Sequence, residues 1–149
     1  MLFRSLKPYI TKRTAEAPLR RALFARLQPA LAPIPIYNGN ANPDQPYPYA
    51  IIGEPTDGPD ISTKTSEADN RVIMFHCYTE EDGYDQVSAM KDAMLAAFKQ
   101  PLVLDDPTWN LFSTELLPGG RTLRIDPPTG PRYAHAAFSM RFKVESKLT

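Results

Sequence analysis

The chain has 149 residues, long enough for a single domain that buries roughly 70% of the surface its unfolded form exposes. Seventeen Lys and Arg balance seventeen Asp and Glu, so no overall field draws the chain to a nucleic acid backbone or an anionic membrane. One cysteine, Cys77, excludes an internal disulfide framework and fits a reducing compartment. No apolar run approaches the roughly 20 residues of a membrane helix, and the sequence holds no internal repeat. Sixteen prolines, about twice ordinary usage, gather in the connections and predict stiff loops on a compact core.

Residues 1–13 carry Arg4, Lys7, Lys12 and Arg13 and no acid. Their apolar residues are scattered and no small-residue cleavage site follows, so the segment is not read as a signal peptide. It reads as an N-terminal arm, either loosely ordered or docked on a neighbouring subunit, ahead of one domain over 14–149. A helix is expected from Thr14, with Thr14 as cap, Pro18 in the first turn, and Leu19, Leu23 and Leu27 one turn apart. Arg20, Arg21 and Arg26 fall off that stripe and read as a solvated outer face.

Ile34-Pro35-Ile36-Tyr37 reads as a short edge strand and Asn38-Gly39-Asn40 as a turn. Pro46-Tyr47-Pro48-Tyr49-Ala50-Ile51-Ile52-Gly53 is an extended entry into a second strand, followed by a polar connection that contains Ser62-Thr63-Lys64-Thr65. Arg71 to Thr79 is dense in β-branched, aromatic and other apolar residues and predicts the central strand. After the polar turn Glu80-Glu81-Asp82-Gly83 the period changes. Val87, Met90, Met94, Ala97 and Phe98 recur at spacings of three and four, which predicts a helix packed on the sheet and stopped by Pro101. Leu102-Val103-Leu104 suggests another brief strand.

From Ala134 to Val144 the even positions are apolar and most odd ones polar, the clearest period-two pattern in the chain. Its partner is expected over about Asn110 to Asp126, kinked at Pro118-Gly119-Gly120, with the turn centred on Thr129. That register sets Glu115 across from Lys143 and Leu116 across from Phe142. Two forms stay open: a hairpin that outruns the subunit's own core, or a strand broken by a bulge into two ordinary ones.

No pattern of catalysis or metal binding emerges. His76 and Cys77 are adjacent in a strand, so they point to opposite faces and cannot share an ion or form a nucleophile–base pair. Glu80, Glu81 and Asp82 read as a cap near a helix N-terminus. Gly119-Gly120-Arg121 lacks the spacing of a phosphate loop, and no Gly-x-Ser-x-Gly elbow is present. The expected class is α+β: a mostly antiparallel sheet covered by two main helices, with a long C-terminal β-hairpin. No cofactor and no metal are expected.

The order of these elements resembles the tail terminator (tail completion) proteins of long, non-contractile tailed phages and gene transfer agents. Pro46 to Gly53, Ser62 to Thr65, Arg71 to Phe98, and the end hairpin with Arg132 and His135 carry the resemblance. It implies a subunit that closes a homohexameric ring on the tail tube, at the head-proximal end of the tail in the virion. Such a ring would stop polymerisation of the major tail tube protein and meet the head–tail connector or stopper protein. DNA would pass through its lumen without specific binding, and synthesis would take place in the bacterial host cytoplasm. The resemblance places subunit contacts on Tyr47, Tyr49, Ser62, Thr63, Lys64 and Thr65. Other readings are a different head–tail neck or completion protein and, disfavoured by the missing site, a small hydrolase or nucleic-acid-binding protein.

Overall fold

The computed structural model describes residues 14–42, 44–57 and 67–147. The arm over 1–13 and the Ser62-Thr63-Lys64-Thr65 run lie outside the described residues.

Helix α1 spans Glu16–Leu31, and Leu19, Leu23, Leu27 and Leu31, one turn apart, are all buried. Pro18 sits in the first turn, where a missing N–H breaks no helical bond. Thr14 is not the cap. The N-cap position is Ala15, and its buried amide donates to Oδ2 of Asp69 at 2.8 Å, 54 residues away. Asp69 is in turn paired with Arg71 at 3.0 Å, and Arg71 lies 3.7 Å from Glu16. A non-local network therefore replaces the local cap.

The described strands, β1 (Ile36–Asn38), β2 (Tyr49–Asp57), β3 (Ala68–Thr79), β4 (Trp109–Leu116), β5 (Arg121–Ile125) and β6 (Tyr133–Ser146), form one sheet in the order β1-β2-β3-β6-β4, with β5 also on β6. Strand β1 (Ile36–Asn38) runs parallel to β2 (Tyr49–Asp57), and every other pairing is antiparallel. The predicted central strand is β3, Ala68–Thr79, three residues longer at its start than expected. It hands over to helix α2, Asp85–Ala97, whose Val87, Met90 and Met94 are buried. Phe98 follows the helix and packs on Phe75 and Phe142, at ring separations of 5.7 and 6.0 Å. The turn before α2 is capped by Glu81, whose carboxylate accepts from the Thr79 hydroxyl and from the amides of Gln86 (3.1 Å) and Val87 (3.0 Å). Burial alone would raise the pKa of Glu81, but these hydrogen bonds outweigh it and hold the group below the usual carboxylate range.

Of the three arginines of α1, Arg21 stays on a solvated face as expected, while Arg20 and Arg26 do not. Arg20 donates to Oδ1 of Asn38 and to the carbonyls of Gly53 and Ile52, at 2.7–2.9 Å. Arg26 donates to the carbonyls of Ala97, Gln100 and Pro101, which the end of α2 leaves without helical partners. Arg21 pairs with Asp105 through two bonds of 2.7 and 2.9 Å. The outer face of α1 thus staples the helix to the sheet edge and to its neighbour helix.

Leu102-Val103-Leu104 alternates without joining the sheet: Leu102 and Leu104 are buried while Val103 is 87% exposed. Strand β6, Tyr133–Ser146, is unbroken and pairs with β3 from Ala134 to Glu145, so it does not outrun its own core. The break falls in its partner, which divides into β4 (Trp109–Leu116) and β5 (Arg121–Ile125). The register centred on Thr129 holds for β5, where Arg121 faces Ala137 and Ile125 faces Tyr133. It fails for β4, where Glu115 faces Arg141 and Leu116 faces Met140, two positions from the expected partners. Four residues separate Leu116 from Arg121 while two separate Ala137 from Met140, so the kink inserts two extra residues and preserves side-chain parity. A further shift at Phe112 turns Leu111 towards the core beside Val144. Leu116, expected in the core, is 50% exposed, because neither helix packs over this outer strand.

Candidate interaction surface

Both helices lie on the face of the sheet formed by Ile73, Phe75 and Cys77 of β3 and by the even residues of β6. Strand alternation sends the intervening residues to the opposite face, which no described element covers. Register then aligns them in rows across the sheet. Tyr49, Tyr78, His135 and Leu123 occupy one row over β2, β3, β6 and β5. Ile51, His76, Ala137 and Arg121 occupy the next.

The first row is a stack. Tyr49 and Tyr78 lie 4.9 Å apart, and Tyr78 and His135 lie 4.5 Å apart with parallel planes. Tyr47 stacks on both Tyr49 and Tyr133 at 5.6 Å, and Tyr37 meets Tyr49 edge-on at 6.2 Å. These separations fall in the range where aromatic pairs contribute about 0.5–1.5 kcal/mol beyond burial. Because the rings stack on each other, they present edges and hydroxyls outward. Such a surface suits protein contact better than the intercalation of bases, which needs free ring faces. Burial, and then the neighbouring phenols, raise the pKa values of Tyr47, Tyr49 and Tyr78, which keeps them neutral donors.

Beside the stack, Nδ1 of His76 and Nε2 of His135 are 2.8 Å apart. The ring planes differ by 18° and the centroids are 5.1 Å apart, as for two rings lying edge to edge with one proton between them. One ring donates and the other accepts, so the two rings cannot both be cationic and keep this contact. Burial, then the proximity of His76 and Arg121, pushes His135 down to about 4, and burial lowers His76 as well. A depression of about 410 Å³ opens next to this pair, lined by Met74, His76, Tyr78, Ile51, Glu54 and Asn40 among others. Gly53 also lines it. A Cβ at Gly53 would lie 2.5 Å from the Met74 carbonyl and 3.4 Å from the His76 ring.

Of the sequence-designated contact residues, Tyr47 and Tyr49 meet on this face, while Ser62, Thr63, Lys64 and Thr65 fall outside the described residues. Tyr37, Tyr78, Tyr133, His76 and His135 belong to the same surface and were not singled out for contact. Their odd–even parity was legible, but the adjacency of β3 and β6, 55 residues apart at Tyr78 and Tyr133, was not. Cys77 points the other way, as its neighbour His76 requires, and burial pushes its thiol up to about 12. It is therefore an inert core group. Among the described residues, no three His, Cys, Asp or Glu converge on a common point.

A mostly antiparallel sheet with both helices on one face and a tyrosine-rich second face is an α+β fold. Similar solved structures include one from a gene transfer agent particle and one from a bacteriophage. One is a chain of the virion of a native gene transfer agent particle, 18% identical, covering 85% of this chain and 94% of that one, with a TM-score of 0.63. Another is the bacteriophage SPP1 gp17 protein, 19% identical, covering 86% of this chain and 89% of that one, with a TM-score of 0.52. At such identity the likeness establishes a shared fold. No family model matches the sequence, and no curated protein matches it.

Proposed function

We propose that this protein is a structural component of a phage-type tail, specifically a tail terminator. In this reading six copies close a ring on the head-proximal end of the tail tube, stop addition of the major tail tube protein, and present the surface that joins the head–tail connector or stopper protein. The single observation that carries the reading is the fold-wide match to a gene transfer agent virion chain, which spans 94% of that chain. Two features of this chain support it. The open sheet face is built of rigid aromatic residues at low entropic cost, the composition of a contact surface. The thiol and the imidazoles sit on opposite faces of the sheet, an arrangement suited to packing and contact and unsuited to nucleophilic catalysis.

Tyr47 and Tyr49 act in subunit contact within the aromatic face, and Ser62, Thr63, Lys64 and Thr65 extend that contact. A balanced net charge lets DNA slide through the lumen without being held. The protein is made in the host cytoplasm and ends in the virion. Electron microscopy of tails from a strain lacking the protein tests the reading. Tails of irregular, excess length that fail to join heads are expected, and tails of normal length joined to heads would contradict it.

A further inference from the structure

A closed head-to-tail ring needs two different patches on each subunit, one to give and one to receive. The two edges of this sheet are treated differently. On the β2 side, β1 covers Ala50 to Ile52, the Arg20 guanidinium occupies the Ile52 and Gly53 carbonyls, and Pro55 has no N–H to offer. On the other side, β4 runs eight residues without proline; its Trp109 amide is held by the Asp106 carbonyl, and among the described residues the edge beyond is uncovered. The Leu117 amide donates to the Ser139 carbonyl at 2.9 Å, so by alternation the backbone groups of Thr114 and Leu116 point outward. Phe112 and Leu116 on the same strand are each 50% exposed, and a groove of about 280 Å³ runs between Phe112, Pro101 and Phe98.

We infer that the outer edge of β4 receives an added strand, and that the strand is the arm, residues 1–13, of a neighbouring copy. The inference rests on the ring reading above. Thirteen extended residues reach about 45 Å, whereas eight-residue β4 needs about 27 Å of partner. Residues 3–11 fill that length, and Lys12 and Arg13 join the strand to Thr14 of its own subunit, a span of about 10 Å. The arm leaves the domain at Thr14, beside Ala15, which is bonded to Asp69, and Asp69 lies in register with Val144 and, across β6, with Leu111 of β4. It therefore starts at the end of the sheet where β4 begins. Leu2, Phe3, Leu6, Tyr9 and Ile10 supply apolar cover for Phe112 and Leu116, while Arg4, Lys7, Lys12 and Arg13 keep the free arm soluble. Pro8 fixes the parity. In a strand at the new edge its missing N–H faces solvent, so the backbone groups of Phe3, Ser5, Lys7, Tyr9 and Thr11 face β4.

The test is amide hydrogen exchange on the full-length protein, free and assembled on purified tail tubes, with Thr114→Pro and Ser5→Pro as variants. Thr114→Pro removes one outward N–H of β4 and leaves the β6 ladder untouched, which wild-type protection in β3 and β6 would verify. In the six-membered assembly, the amides of residues 3, 5, 7, 9 and 11 should slow by about tenfold or more relative to their even neighbours. Either variant should abolish that protection and reduce ring formation by about tenfold. Rings that form normally with Thr114→Pro, or with arm amides unprotected, overturn the inference and leave the ring reading standing. Arm protection already present in the free monomer, unchanged by dilution, places the arm on its own subunit and also overturns it. Absence of six-membered rings on the tubes removes the ring reading and the inference together.

Discussion

His135 and His76 share one proton site on the open face of the sheet, and their environment disfavours the charged form. The unfolded chain, with ordinary imidazoles near 6.5, therefore binds more protons than the folded one between pH 6.5 and about 4. Stability contributed by the neutral pair is fully present above pH 6.5 and falls as pH drops through that window. Because both rings are half open to water, the loss at His135 should be about 1–2 kcal/mol, well under what the full shift would give. Urea denaturation at pH 7 and pH 4.5 measures it, and His135→Gln should flatten the difference. Gly53 makes a second prediction at this scale. A methyl there meets the Met74 carbonyl, a backbone atom that cannot swing away. Gly53→Ala should cost about 2 kcal/mol and perturb the His76 ring resonances, whereas Gly83→Ala, with open space around its Cβ position, should do neither.

The elements that were legible in the sequence are those whose evidence is local. The leucines of α1, the Val87–Met90–Met94 stripe of α2 and the alternation of β6 each carry their period within a dozen residues, and each buries the face it predicts. What was not legible depends on residues distant in sequence. The cap of α1 comes from Asp69, the end of α2 is held by Arg26, and β6 lies beside β3 through pairings that a hairpin pattern cannot reveal. The two-residue slip in β4 has the same origin, since the Pro118-Gly119-Gly120 kink absorbs a number of residues that no periodicity states. The stripe of α2 can be tested directly. Met94 is fully buried against the Cys77 sulfur, so Met94→Asp should destabilise the domain by about 3–5 kcal/mol. Arg26→Ala should cost about 1–2 kcal/mol by freeing the carbonyls that follow α2, and amide exchange in the last turn of that helix should rise first.

For the whole molecule, the distribution of cover matters more than any single site. Among the described residues, one face of the sheet is sealed by two helices and one edge by β1 and Arg20, while the aromatic face and the β4 edge stay open. A monomer with two dissimilar open patches is suited to head-to-tail closure, and stiff proline-rich connections lower the ordering cost of such contacts. Lys64→Glu belongs to this scale: it should leave the thermal midpoint of the isolated chain unchanged and weaken tail joining, and unfolding at ordinary temperature would instead make Lys64 structural. The most direct measurement of the central claim is electron cryomicroscopy of assembled tails that carry this protein. Six copies around a DNA-wide pore at the head-proximal end of the tube are predicted, with Tyr47 and Tyr49 at the subunit contact. Tails in which the protein is absent from that end, or sits there without six-fold symmetry, would contradict it.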